Sequence, residues 1–185
     1  MLAPTADVFF SVSLDLKAFE ECMPKHDLIG SAYTFCAHVI IGGVATWVQQ
    51  SQYNGSISYI FEAGHSSQGE AEEIMRKIFA NPDLKSGQRY ASHTFVDKVK
   101  SPPTQAADLL SWQTYTEFRR RLEGREQRKD FAALLRPQTD FAVFVDRRRI
   151  IELAAKWMKI DEAEAIALSR LHLGDRNDLV GGAGT

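Results

Sequence analysis

The sequence predicts an α/β domain, and three observations carry that prediction. Stretches of strand length alternate with stretches of helix length, in the order strand, helix, strand, helix, strand, helix, as far as Leu122. Such alternation favours at least some parallel pairing. The segment around Tyr59 changes face residue by residue, with Ile57, Tyr59 and Phe61 on one side and Ser58, Ile60 and Glu62 on the other. Composition is that of an ordinary folded domain: 185 residues, 44% hydrophobic and 25% charged. A chain of that size buries enough surface to need no disulfide or metal staple.

The elements follow in order. VFFSVSLDL (Val8 to Leu16) is rich in Val and Phe and reads as a strand. AFEECMPKHD reads as a charged connector, with Pro24 blocking a long helix. An apolar helix follows, roughly Leu28 to Gln50. Its first part, Leu28 to Val48, carries no acid, Lys or Arg and imitates a membrane span. Its glycines and hydroxyl residues dilute the hydrophobicity, and no basic cluster flanks it, so a helix buried in a domain is expected instead. Asn54-Gly55 marks a turn.

Ser56 to Gly64 is the second strand. GEAEEIMRKIFA is a helix with Ala71, Ile74, Met75 and Ile78 on one face and acids in its first turns. NPDLKSGQR reads as a loop and YASHTFVDKV as a third strand. SPPTQAADLLSWQTYTEFRRRL opens on prolines and continues as a helix to about Leu122. The expected organisation is therefore a core over residues 1–122 and a helical C-terminal extension over 123–185. That extension holds one helix at about Arg147 to Lys159, another over DEAEAIALSRLHL, and a frayed ending.

Charge and cysteine usage exclude several classes. The formal net charge of −2 speaks against a uniformly basic surface that coats nucleic acid or anionic membrane, while leaving local basic patches open. Cys22 and Cys36 have no CxxC spacing and fit a reducing compartment, so a cytoplasmic protein is expected. MLAPTADVFF has no basic n-region and is not a signal peptide. No GxGxxG, P-loop, HExxH or GxSxG spacing is present, which argues against nucleotide-cofactor, zincin and hydrolase-triad chemistry.

Three residues are candidates for chemistry by their place in the sequence. Glu62 ends an otherwise apolar strand just before a glycine-containing loop, where functional groups of α/β sheets gather. Asp108 lies within about two turns of a helix start, sharing its face with Ser111, Trp112 and Tyr115. His65 follows Glu62 by three residues as a ligand, proton shuttle or loop histidine. Glu117 to Asp130 holds six basic and four acidic side chains, a pattern usual for a solvated helix face. Arg147, Arg148 and Arg149 form a second, shorter basic cluster.

The stretch SPPTQAADLLSWQTYTEFRR resembles the C-terminal signature of the domain-of-unknown-function family 3800, with its proline-containing loop and Q-x-A-D-L-L helix. YIFEAGHSSQGEAEE is similar to that family's central strand, an acid at its end and Gly-Glu opening the next helix. The resemblance spans roughly Phe9 to Leu122. It implies a ribonuclease-H-like mixed sheet flanked by helices, with carboxylates converging on Mg²⁺ or Mn²⁺. It implies Glu62 and Asp108 as metal ligands and catalytic residues of a nuclease or phosphodiesterase. Gln105 and His65 are then substrate-binding candidates.

The family's first strand usually bears an Asp-Glu-Ser-Gly motif, which this sequence lacks. Asp7 and Asp15 are the early aspartates and neither stands in that context. Two expectations result: a chain lacking its first strand, or a domain that has lost catalysis and serves as a binding or assembly module. A missing strand would expose a sheet edge that invites a second copy, hence a homo-oligomer. Nucleic acid is the partner expected of the nuclease reading, the binding module leaves its partner open, and no membrane is expected.

Overall fold

A computed structural model describes residues 8–23, 30–134 and 140–158. Among the described residues the order is β1 (Phe9–Leu14), α1 (Leu16–Cys22), α2 (Ala32–Gln50), β2 (Ile57–Glu62), α3 (Gln68–Ala80), α4 (Pro82–Gly87), β3 (Tyr90–Val96), a 3₁₀ turn (Lys98–Lys100), α5 (Pro102–Leu122), α6 (Lys129–Leu134), β4 (Asp140–Val145) and α7 (Arg147–Met158). The chain is α/β, as the alternation predicts. No described helix is long and apolar enough to cross a membrane.

The described strands form two pairs, β1 with β4 and β2 with β3, where the sequence predicts one mixed sheet. β2 and β3 are parallel, so the chain between them must cross over, and α3 and α4 make that crossover. Their register sets Tyr59 against His93, Phe61 against Phe95 and Glu62 against Val96. The alternation along β2 is as predicted: Ile57, Tyr59 and Phe61 are half-buried, whereas Ser58, Ile60 and Glu62 are exposed.

The core beneath β2 is built from helix faces. Ile74, Met75 and Ile78 of α3, Ile41 of α2 and Tyr90 of β3 form one cluster, with Ala37, Tyr59 and Phe61 against it. The 3.6-residue period of α3 brings these three residues, and Ala71, to one buried face. Burial pushes the Tyr59 phenol up to about 12, and its hydroxyl donates to the Gln88 carbonyl at 3.3 Å. Phe61 stacks on Phe95 with centroids 5.3 Å apart.

Three local readings differ from the structure. The charged connector after β1 contains α1: Asp15 caps it by accepting from the Ala18 N–H at 2.9 Å, a pattern that ordinarily starts a helix. The expected loop at NPDLKSGQR contains α4, capped by Asn81 with Pro82 in its first turn. The stretch expected as a helical extension also contains β4, whose Phe141 stacks on Phe10 at 5.1 Å.

By its internal contacts the chain divides into two compact units. One unit comprises residues 1–13 and 36–143, the other 14–35 and 144–185. In the second, α1 packs with α7. Its Phe35 is fully buried, with ring contacts to Phe19 at 5.2 Å and Trp157 at 5.1 Å. Arg147 pairs with Glu21 and donates to the Cys22 sulfur at 3.2 Å. The expected helix over DEAEAIALSRLHL, the frayed ending, residues 24–27 of the charged connector and residues 28–29 of the long apolar segment lie outside the described residues.

Candidate functional site

All four candidates of the sequence, Glu62, His65, Gln105 and Asp108, belong to the first compact unit. Glu62 is the last residue of β2 and is exposed. The ladder runs one step beyond it, through the Ala63 N–H to the Val96 carbonyl at 2.8 Å. The chain then turns through Gly64, whose φ of +85° is a conformation that side chains rarely adopt. The Gly64 N–H donates to Gln68 Oε1 at 2.9 Å, tying the turn to the start of α3.

β3 ends beside Glu62, and the 3₁₀ turn after β3 brings a cation there. Asp97 accepts from the Val99 N–H at 2.9 Å and so starts that turn. Lys98, its first residue, reaches across to α5. The Lys98 Nζ lies 2.7 Å from Asp108 Oδ2. Donating this hydrogen bond to Asp108 holds the Lys98 ammonium above the usual lysine range, and the Glu62 charge acts in the same direction. Asp108 thus holds this ammonium in a direct contact, whereas Glu62 acts on it through its charge alone.

Gln105 fixes this arrangement from below. Its Nε2 donates to the carbonyls of Lys98 at 3.0 Å and Val99 at 3.1 Å. The same helix turn that carries Asp108 therefore also holds the backbone of the lysine's turn. α5 itself starts at Ser101 with prolines in its first turn, where a missing N–H costs nothing. His65 lies in the turn between β2 and α3. Its Nδ1 accepts from the Ser67 N–H at 3.1 Å, so that nitrogen supports the turn into α3.

A second feature lies further along α5. Trp112 and Tyr115 are 55% and 56% exposed. The segment after α5 returns beside them and sets the Arg128 guanidinium 5.5 Å from the Trp112 ring centroid. Under it, the buried Glu117 accepts from Arg121 Nε at 3.1 Å and from the Arg128 N–H at 3.2 Å.

Sequence reasoning missed Lys98, whose partner is ten residues away across a change of element. The Asp97 cap signal could have shown that a tight turn succeeds β3. It also treated the Trp112 face and the arginine run as separate features, although folding joins them. Among the described residues no group of three or more His, Cys, Asp or Glu side chains gathers in a way that would hold a metal ion. The chain matches no family model, no curated protein and no solved structure.

Proposed function

We propose that the chain is a non-catalytic binding module on a ribonuclease-H-like plan, related to the domain-of-unknown-function family 3800, in which Lys98 occupies the acidic strand end. The plan is supported by the parallel pair β2–β3 with its helical crossover, the carboxylate ending β2, and the late helix bearing Gln105 and Asp108. The single observation that carries the loss of catalysis is the 2.7 Å contact between Lys98 Nζ and Asp108 Oδ2.

The physical argument is one of charge. Two-metal phosphodiester cleavage needs several carboxylates turned onto hard divalent cations. Here one of the two carboxylates faces a cation supplied by the chain, and the other acts on the same cation. A divalent ion at this place would stand against an ammonium. These residues do not fit a two-metal centre, and no hydrolytic step is derived through one. Both cysteines are free, which supports a reducing compartment such as the cytoplasm.

Calorimetric titration with Mn²⁺ tests this. The wild type should take up no Mn²⁺ in the micromolar range, and Lys98→Ala should uncover weak binding that the added change Asp108→Ala removes. Micromolar binding by the wild type, lost in Asp108→Ala alone, would overturn the reading. It would favour the second one, a Mg²⁺- or Mn²⁺-dependent phosphodiesterase in which the metal displaces Lys98. That alternative is supported by Glu62 and Asp108 acting at one place although they come from different elements.

A further inference from the structure

α5 and the segment after it enclose a groove of about 510 Å³. Trp112, Tyr115, Arg119, Arg120, Arg125 and Arg128 line it, with Glu123 as the one acid. The groove is open to solvent, and its volume is large enough to admit a small planar molecule.

Its charges do not balance. Arg119 and Arg125 share Glu123, at 3.6 Å and 3.1 Å. Arg128 pairs with Asp130, outside the lining. Arg120 donates through Nη2 to the Glu126 carbonyl at 3.3 Å, while its Nε is buried and finds no acceptor. Among the described residues no carboxylate pairs with Arg120, so four lining guanidinium groups stand against one lining carboxylate.

The rings supply the second half of the argument. Trp112 and Tyr115 present more than half of their surface to solvent beside these guanidinium groups. Exposed aromatic faces beside a surplus of arginine suit a ligand that is both planar and anionic. Bases stack on such rings whatever their sequence, and guanidinium forks match phosphate oxygens. An aliphatic anion would leave the rings unused, and a neutral aromatic would leave the arginines unused.

We propose that this groove binds a base together with its phosphate, as a free nucleotide or as a unit of a single strand of nucleic acid. The proposal stands whichever reading of the Glu62–Lys98–Asp108 end is right, because it uses none of those side chains.

Fluorescence anisotropy with a labelled twelve-nucleotide single strand of DNA or RNA tests it, with AMP and ATP as competitors. The wild type should bind, and Trp112→Ala should weaken binding about tenfold or more. Trp112→Phe should retain most of it. The double change Arg119→Glu with Arg125→Glu should weaken binding at least tenfold and flatten its dependence on ionic strength. Arg76→Glu, on α3 and outside the groove, should leave it unchanged. Circular dichroism of each variant checks folding, and every substituted side chain is at least half exposed. Competition by AMP at equal base concentration identifies the free nucleotide as the ligand, and binding of the strand alone identifies nucleic acid. Absence of binding to strand, AMP and ATP would overturn the proposal. So would binding that neither Trp112→Ala nor the double charge reversal reduces, or equal binding of a duplex indifferent to Trp112→Ala.

Discussion

The two ends of α5 handle charge in opposite ways. Near its start, Asp108 meets Lys98, and Glu62 acts on the same ammonium, so acid slightly outweighs base. Near its end, four arginines face one glutamate, and a guanidinium nitrogen stays without an acceptor. One helix thus carries a locally satisfied cluster and an unsatisfied one. The difference teaches where to look for a partner. A carboxylate already held by an ammonium offers little to a cation, whereas arginines in excess of acid beside exposed rings offer much to an anion.

The supports differ as well, and that yields the largest expected effect. The acidic end rests on β2, which lies over the apolar cluster around Met75. Met75 is fully buried. Met75→Ala should cost about 2–5 kcal/mol, because the cavity it leaves collapses only in part. Urea unfolding reads this directly, and a loss near zero would show that the cluster does not carry the strand.

The groove rests on a polar support instead. Glu117 is 1% exposed and holds both Arg121 and the Arg128 N–H. Glu117→Ala should cost about 1–3 kcal/mol, since it leaves a backbone donor without its acceptor. The same variant should weaken oligonucleotide binding, because Arg128 is positioned against Trp112 through that contact. If stability fell while binding stayed, Glu117 would support the fold but not the groove.

A smaller effect comes with alkaline pH. Burial raises the Tyr59 phenol to about 12, so the folded chain keeps a proton that the unfolded chain loses near the ordinary value of 10.0. Its contribution is fully present below that ordinary value and is lost as pH rises through about 12. The urea midpoint should therefore fall between those limits, and Tyr59→Phe should flatten the fall. An unchanged slope in that variant would assign the loss elsewhere.

The smallest effect is expected at the acidic end itself. Lys98 and Asp108 are exposed partners, 36% and 56% in their side chains, and water screens such pairs. Lys98→Ala should leave the urea midpoint within error while changing the response to Mn²⁺. A large loss of stability would mean that the pair is a structural tie, and the comparison between the two ends would lose its meaning.

Much of this was legible in the residues alone. The face alternation of β2 and the buried stripe of α3 come from periodicity, because packing against a core leaves the strongest imprint on sequence. α1 and α4 were hidden by prolines and charges, although Asp15 and Asn81-Pro82 are ordinary helix starts. β4 was hidden because its DFAVFV run sits among charged helical segments. At the site, Glu62 and Asp108 stood out by their place at a strand end and near a helix start. Lys98 did not, because a surface lysine in a turn carries no periodic signal. The groove was unreadable for a related reason: Trp112 and Arg128 meet only because the chain reverses after Leu122.

The central claim is that this chain holds its ligand without cutting it. Incubating a 5′-labelled single-stranded oligonucleotide with the wild type and Mn²⁺, then resolving the products on a denaturing gel, tests that most directly. The account predicts bound and intact strands after long incubation. Metal-dependent cleavage by the wild type that disappears in Glu62→Gln would contradict it.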